Sequence, residues 1–268
     1  ILPMLPHKNL IPDINLTPYS IWLATVVVSG ISYLSYLLKR YVFHESGTLV
    51  SGIIGGLYSS TATISVLARK SRKASEQEAT EYVAAMLLAV SMMFLRFMIL
   101  ILIFSREIFL SIYPYLLIMS VVSAIVGWFI HSRQKLPKDT SVESEEDDSS
   151  NPLEFKVALI FAVLFVVFTV LTHYTLVYAG TSGLNLLSFV SGFSDITPFI
   201  LNLLQNTGSV AVLIITACSM QAIVSNILVN MFYALFFAGK RSKLRPWILG
   251  GFGAVIACNL VLLLFFYL

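Results

Sequence analysis

The sequence predicts an all-α polytopic membrane protein made of two inverted repeats, each with three transmembrane helices and one broken, re-entrant helix hairpin. This prediction depends on the composition, on eight apolar runs in two sets of four, and on the placement of lysine and arginine. Of the 268 residues, 57% are hydrophobic and 12% are charged, and the mean hydropathy is +0.86. Soluble domains carry about 25% charged residues. The composition therefore excludes an ordinary soluble enzyme, a disordered chain and a nucleic-acid-binding protein, and the lipid bilayer is the expected partner.

The apolar runs divide the chain into two membrane repeats. A bilayer-spanning helix needs about 20 apolar residues, and each run is close to that length. The linker 132–151 separates the fourth run from the fifth, and its acidic stretch 143–148 predicts disorder because like charges repel. We assign residues 1–131 to the first membrane repeat and residues 152–268 to the second. The runs are 18–38, 47–68, 81–104, 108–131, 153–177, 183–205, 209–238 and 246–268.

The two halves resemble each other in sequence. Residues 56–61, Gly-Leu-Tyr-Ser-Ser-Thr, match residues 192–197, Gly-Phe-Ser-Asp-Ile-Thr, and residues 91–92 match residues 219–220, both Ser-Met. These matches keep the same order at offsets of 128 to 136 residues. They indicate an internal duplication, although membrane helices share a composition and can align by chance.

The second and sixth runs carry polar residues at their centres. Glycine, serine and threonine make up six of the nine residues from Gly55 to Thr63, and the stretch from Ser191 to Pro198 adds an aspartate and a proline. Short apolar arms flank both centres. Non-helical backbone at membrane depth is tolerated only where protein or a polar cavity satisfies it. We therefore expect each of these runs to be a broken helix or a re-entrant hairpin.

The placement of basic residues favours the hairpins. Cytoplasmic loops carry an excess of lysine and arginine. Eight full crossings divide these residues nine to seven between the two sides, whereas two hairpins with an outer N-terminus divide them fourteen to two, with Arg96 inside a span. Each half then crosses the membrane three times, which inverts the second half. Inverted repeats whose broken helices meet near the midplane are a recurring plan of secondary transporters.

Only two formally charged residues lie deep within apolar runs, Arg96 and Asp195. A charge at the bilayer centre costs about 2.5–3.5 kcal/mol on insertion scales. In the functional interpretation, Asp195 binds a cation or a proton while Arg96 pairs with it or with an anionic substrate. In the alternative interpretation, a buried pair between them only fixes the register of the helices.

Hydroxyl groups surround both polar centres. Such oxygens suit Na⁺, Mg²⁺ or a hydrogen-bonded solute, and they also cap half-helices. The identity of a metal stays open. The candidate substrate- or ion-binding residues are Asp195, Thr197, Ser194, Ser59, Ser60, Thr61 and Thr63.

The seventh run carries a polar stripe. Gln221, Ser225, Asn226 and Asn230 fall on neighbouring positions of one helix face. The stripe lines a pathway or makes interhelical hydrogen bonds, which contribute about 0.6 kcal/mol each. Ser225, Asn226 and Asn230, together with Arg96, are therefore candidate pathway-lining residues or charge partners.

Catalytic patterns are absent from the sequence. It contains no HExxH motif, no second intramembrane aspartate, no serine and histidine at matching depth and no phosphate-binding glycine-rich loop. We therefore expect neither enzymatic activity nor a cofactor.

Several motifs together resemble one known family. The most specific is Gly-Gly-Leu-Tyr-Ser-Ser-Thr-Ala-Thr at 55–63; the others include Asn151-Pro152, Ser191-Gly192 with Asp195, and Ser225-Asn226. On these residues the chain resembles the MgtC/SapB-type membrane proteins, specifically their C-terminal membrane domain of unknown function, over nearly its whole length.

The resemblance implies that an N-terminal membrane segment precedes this domain, which fits a chain that begins at Ile1. Family members often carry a lysine soon after the Ser-Asn pair, where this chain has Asn230. The family name suggests magnesium transport. A single intramembrane carboxylate gives Mg²⁺ too few ligands, however, because that ion is usually bound by carboxylates together with retained waters.

From these residues we predict a transporter that moves a small ion or solute between the two hairpin tips, with a cation as a candidate coupling ion. The alternatives are an ion channel of the same architecture and a non-transporting membrane module that binds and regulates a partner. The expected location is the plasma (inner) membrane of a prokaryote, with the linker 132–151 in the cytoplasm. A homodimer is common for such folds, but the pseudo-symmetry of the duplication does not require one.

Overall fold

The computed structural model describes residues 4–6, 8–11, 14, 16–42, 47–72, 74, 76–133, 155–205, 210–239 and 244–267. Most of the linker predicted at 132–151 and most of the basic segment 240–245 lie outside the described residues. The described chain is helical. Its elements are α1 (Pro18–Leu37), a short π-helix (Leu38–Val42), α2 (Thr48–Ser71), α3 (Glu76–Phe104), α4 (Arg106–Ser132), α5 (Phe155–Ser191), α6 (Ile196–Gln205), α7 (Val212–Ala238) and α8 (Arg245–Tyr267).

Seven of the helices within these residues are long and apolar enough to cross a membrane. The remaining helix, α6, has 10 residues and is about 15 Å long, half the thickness of the hydrocarbon core. Large apolar side chains such as Trp128 and Phe265 are exposed on the outside of the bundle, which is what lipid contact requires. The protein is an integral membrane protein with transmembrane helices, and the all-α polytopic prediction is confirmed to that extent.

The second helix is interrupted in its middle. Ser59 has extended backbone angles (φ −158°, ψ 107°), which separate a segment α2a (residues 48–58) from α2b (residues 60–71). A Cβ built on Gly55 would lie 2.5 Å from Oγ1 of Thr63, whereas eight residues of a continuous helix span about 12 Å. The chain therefore turns back at Ser59.

The fifth helix is interrupted near its end. Gly180 adopts φ 59° and ψ −150°, a left-handed conformation that glycine takes without steric cost. A Cβ on Gly183 would lie 2.8 Å from Cγ2 of Thr175, so the chain bends sharply between them. We call residues 155–179 α5a and residues 181–191 α5b. A four-residue turn, Gly192–Asp195, then leads into α6.

Two helices form the core of the bundle. In the apolar windows of the candidate spans, 72% of α7 and 50% of α3 are buried, against 22% of α1. Hydroxyl hydrogen bonds join α3 to α4, with Ser91 Oγ donating to the Ser120 carbonyl at 2.8 Å. Tyr115 of α4 donates to Oδ1 of Asn259 on α8.

The end of α7 lies beside the turn that precedes α3. A Cβ on Gly239 would lie 3.1 Å from Nε of Arg72, and the guanidinium of Arg69 stacks 4.3 Å from the ring centroid of Phe237. Because α3 begins at Glu76, its start is at the same end of the bundle as the end of α7. These two core helices therefore run antiparallel.

Glycine sets the close approach of α2a to α3. A Cβ on Gly56 would lie 2.6 Å from the Ala89 carbonyl oxygen, and one on Gly52 would lie 2.9 Å from the Ala85 carbonyl carbon. Backbone atoms cannot move away as a flexible side chain can. Small residues at such contacts allow membrane helices to pack closely.

We expect the change Gly56→Ala to destabilise the protein by about 1–3 kcal/mol, because the added methyl group overpacks the contact with Ala89. The measurement is the apparent melting temperature of the purified chain in detergent, followed by tryptophan fluorescence. Gly30→Ala is the matched control, since nothing lies within 4 Å of a Cβ at that position of α1. Equal melting temperatures for the two variants would contradict the assigned contact.

Candidate functional site

A cavity of about 480 Å³ lies between the break at Ser59 and the turn that precedes α6. Its wall comes from α1, the break in α2, α3, α5a, the turn before α6, and α7. Twelve of the lining residues carry polar side chains, which is unusual at the centre of an apolar bundle. These are Ser29, Ser32, Tyr58, Ser59, Ser60, Thr61, Arg96, Ser194, Asp195, Thr197, Asn226 and Tyr233.

Most of the site residues expected from the sequence line this cavity. Eight of the eleven do so: Ser59, Ser60, Thr61, Arg96, Ser194, Asp195, Thr197 and Asn226. The other three have different surroundings. Thr63 lies against Gly55 between α2a and α2b. Ser225 donates to the Phe189 carbonyl at 2.6 Å, and Asn230 donates to Oδ1 of Asn226 at 3.1 Å.

Four polar lining residues were missed by the sequence analysis. Ser29 and Ser32 are three residues apart and share one face of α1, a spacing that could have identified them. Tyr233 lies seven residues, or two turns, after Asn226, so both lie on one face of α7. Tyr58 directly precedes the break and carried no separate signal.

A side chain of α3 satisfies the backbone at the first break. Arg96 donates from Nη1 to the Tyr58 carbonyl at 2.7 Å, where α2a ends. The N–H of Ala62 donates to Oγ of Ser59 at 3.3 Å, which caps the start of α2b. The first tip, residues 58–62, is therefore held by one charged and one neutral side chain.

The second tip, residues 192–197, is held in a related way from α7. Asn226 donates from Nδ2 to the Gly192 carbonyl at 3.2 Å, where α5b ends. Oδ1 of Asp195 accepts the backbone N–H of Thr197 at 2.9 Å. Asp195 is thus the N-cap of α6, and its negative charge faces the positive end of that helix dipole.

Arg96 and Asp195 lie on the same cavity but differ in burial. Only 9% of the Arg96 side chain is exposed, whereas Asp195 is exposed at the turn before α6. The carboxylate is near enough to act electrostatically on the guanidinium. The hydrogen bond of Arg96 nevertheless goes to the Tyr58 carbonyl. The geometry is therefore not that of a closed buried pair that only fixes helix register.

The two halves share a common packing register. In the first half, Gly52 faces Ala85 and Gly56 faces Ala89. In the second half, Ser188 donates to Gln221 at 2.9 Å, and Gly192 lies against Ser225. All four pairs are 33 residues apart, and each residue of the first half is 136 residues before its counterpart. This offset equals that of the Gly56 and Gly192 segments in the sequence.

The cavity contains oxygen atoms that could coordinate an ion, but few of the side chains that usually bind metals. Within the residues that the structure describes, histidine, cysteine, aspartate and glutamate nowhere form a group of three that could hold a metal ion. The side-chain oxygen atoms on the cavity wall belong to the hydroxyl groups, to the amide of Asn226 and to the carboxylate of Asp195.

Replacement of Asn226 by alanine should leave the Gly192 carbonyl without its partner. We expect a loss of about 1–3 kcal/mol, the cost of an unsatisfied buried polar group. A melting curve of the purified variant in detergent measures this loss. Ser29→Ala, on α1, is the matched control and should change the melting temperature little. A variant as stable as that control would show that the hydrogen bond contributes nothing to the second tip.

Comparisons with known proteins place the chain in a family. The family model described as "Domain of unknown function (DUF4010)" matches residues 26–238, which is most of the chain. An "Uncharacterized protein" of Aquifex aeolicus (strain VF5) is 26% identical over 224 residues, which cover 82% of this chain and 96% of the relative. No solved structure matches the chain. The chain belongs to the family of the domain of unknown function DUF4010.

Proposed function

We propose that this protein is a membrane transporter that carries a small ion or solute through the cavity between two re-entrant hairpins, and that it is not an enzyme. The observation that supports this proposal most is the cavity itself, which is lined by the break in α2, the turn before α6, Arg96 and Asp195. Polar and charged groups at membrane depth are costly and mark substrate pathways. Binding near the midplane, at the junction of two repeats, is the usual arrangement in secondary transporters.

The packing directions support hairpins rather than full crossings. Gly52 and Gly56 face Ala85 and Ala89 in the same order along the chain, so α2a runs parallel to α3. A continuous α2 would have to run antiparallel to α3, because only four residues connect them. In the second half, Asn185 contacts Cys218 and Gly192 contacts Asn226, so α5b runs parallel to α7. In both halves the chain must therefore turn back at the tip.

The relation between the halves supports inverted repeats. The shared 33-residue register makes α3 and α7 counterparts, and these two helices run antiparallel. Counterparts of opposite direction are what an inverted duplication produces. The proposed repeats are residues 1–131 and 152–268, joined by the linker 132–151.

The orientation follows from the basic residues. The contact between Arg72 and Gly239 brings the basic end of α2 to the end of α7, and in the sequence Gly239 directly precedes the basic segment 240–245. We assign this end to the cytoplasm by the positive-inside rule, which also makes the linker cytoplasmic. The bacterial relative from Aquifex aeolicus supports a prokaryotic inner membrane. The association with MgtC/SapB-type proteins stays a prediction.

Single-cysteine labelling tests the topology. We expect Gly47→Cys and Arg72→Cys to react only from the cytoplasm, because both ends of a hairpin lie on one side. Ser182→Cys and Ala211→Cys should react only from outside for the same reason. All four positions are exposed. Eight full crossings would instead place the two members of each pair on opposite sides, and that result would exclude the hairpins.

The labelling needs a background without Cys218 and Cys258, measured in intact cells with a membrane-impermeant maleimide. Ser111→Cys and Ser132→Cys serve as controls, since both topologies place the first outside and the second inside. Both side chains are exposed. A control that labels from the wrong side would show that the bundle is reversed in the membrane without affecting the comparison of the pairs.

Transport by purified protein in liposomes tests the function. We expect saturable flux in a panel of sodium, potassium, magnesium, phosphate and acetate salts. Asp195→Asn should abolish this flux because it removes the carboxylate from the second tip, while the protein remains monodisperse. Glu107→Gln is the matched control, since that carboxylate is exposed at the start of α4. Wild-type flux in Asp195→Asn would overturn the site, single-channel currents would favour a channel, and no flux would favour a regulatory module.

A further inference from the structure

The guanidinium of Arg96 lies on the cavity wall with unused hydrogen-bonding capacity. A guanidinium has five N–H donors, and Nη1 donates to the Tyr58 carbonyl at 2.7 Å. Nε is fully buried and has no partner among the residues that the structure describes. The side chain as a whole is 9% exposed and lines the cavity. The site thus holds a buried cation whose hydrogen bonds are incomplete.

The charge of Arg96 is also incompletely balanced. An uncompensated buried charge is strongly destabilising, whereas a hydrogen-bonded partner of opposite charge offsets much of that cost. Asp195 acts electrostatically on Arg96, while the hydrogen bond of the guanidinium goes to the Tyr58 carbonyl and Oδ1 of Asp195 accepts the N–H of Thr197 at the start of α6. A group that carries negative charge and fits the planar guanidinium would complete the site. Carboxylates and oxyanions are such groups.

The first turn of α2b adds positive potential at the same place. Helix N-termini carry a partial positive charge and bind anions, and Ser60, Thr61 and Ala62 of α2b line the cavity. The cap of α2b is the neutral Ser59, whereas the cap of α6 is the anionic Asp195. The positive end of α6 is therefore already balanced, and that of α2b is not.

We propose that Arg96 and the first turn of α2b form a subsite for an anionic group of the transported substrate, a carboxylate or an inorganic oxyanion. This inference rests on the proposed function and names its substrate class as small anions. The hydroxyls of Ser60 and Thr61 supply further donors beside the guanidinium. Asp195, at the other tip, disfavours a second anionic group near α6, so the anion binds at the first tip.

Equilibrium dialysis of the purified full chain with radiolabelled acetate, succinate, phosphate and sulfate tests the subsite. Choline chloride holds the ionic strength constant. We expect at least one of these anions to bind saturably to the wild type. Arg96→Gln should abolish this binding, and Arg96→Lys should weaken it at least tenfold, because lysine keeps the charge but loses the planar fork. Binding of acetate or succinate would indicate recognition of carboxylates, and binding of phosphate or sulfate would indicate recognition of inorganic oxyanions.

Control variants separate anion binding from folding and from surface charge. Arg106→Gln removes an exposed arginine at the start of α4 and should bind as the wild type does. Arg96→Lys must elute as a monodisperse species, which keeps the test valid if Arg96→Gln does not fold. Equal binding by the wild type and Arg96→Lys, or saturable binding of none of the four anions, would overturn the subsite.

The outcomes also separate this inference from the proposed function. Saturable flux of a cation or a neutral solute, without binding of any anion, would overturn the anionic subsite and leave the transporter standing. Arg96-dependent binding of an anion that liposomes never accumulate would support the subsite and count against transport.

Discussion

The structure depends on the satisfaction of backbone carbonyls where two helical segments, α2a and α5b, end inside an apolar bundle. An unsatisfied carbonyl in hydrocarbon costs several kcal/mol. At the end of α2a the Tyr58 carbonyl accepts from Arg96, and at the end of α5b the Gly192 carbonyl accepts from Asn226. Both donors come from the core helix that runs parallel to the broken segment. The same requirement that permits the breaks therefore brings polar side chains to the wall of the cavity.

Close packing makes each tip a unit with its core helix. Gly56 lets α2a approach the backbone of Ala89, and Gly192 lets the end of α5b approach Asn226. At these glycines no side chain separates the two helices, so the helices have little freedom to slide along each other. Helix α1, which also lines the cavity, is less enclosed by its neighbours, because only 22% of its apolar window is buried.

Much of this arrangement can be predicted from the sequence, because a bilayer allows a spanning backbone few conformations. Apolar runs must be helices, so the Gly/Ser/Thr centres stand out, and Ser59 and Asp195 lie at the breaks they indicate. The sequence predicts less well which face of each helix points into the bundle, because that depends on tertiary contacts. Ser225 belongs to the same stripe as Asn226, but it hydrogen-bonds the Phe189 carbonyl outside the cavity wall. Tyr58 is a similar case, because it directly precedes the break and nothing in the sequence around it indicates that its side chain lines the cavity.

The second tip offers a comparison for the role of Arg96. At the second tip a neutral amide, Asn226, satisfies the carbonyl at the end of α5b. An amide avoids burying a charge, and replacement of a buried ion pair by neutral residues is often neutral or stabilising. The first tip nevertheless uses an arginine that is nine-tenths buried and has an unpartnered Nε. Backbone satisfaction explains one of its donors, and the anionic subsite proposed above accounts for the buried charge.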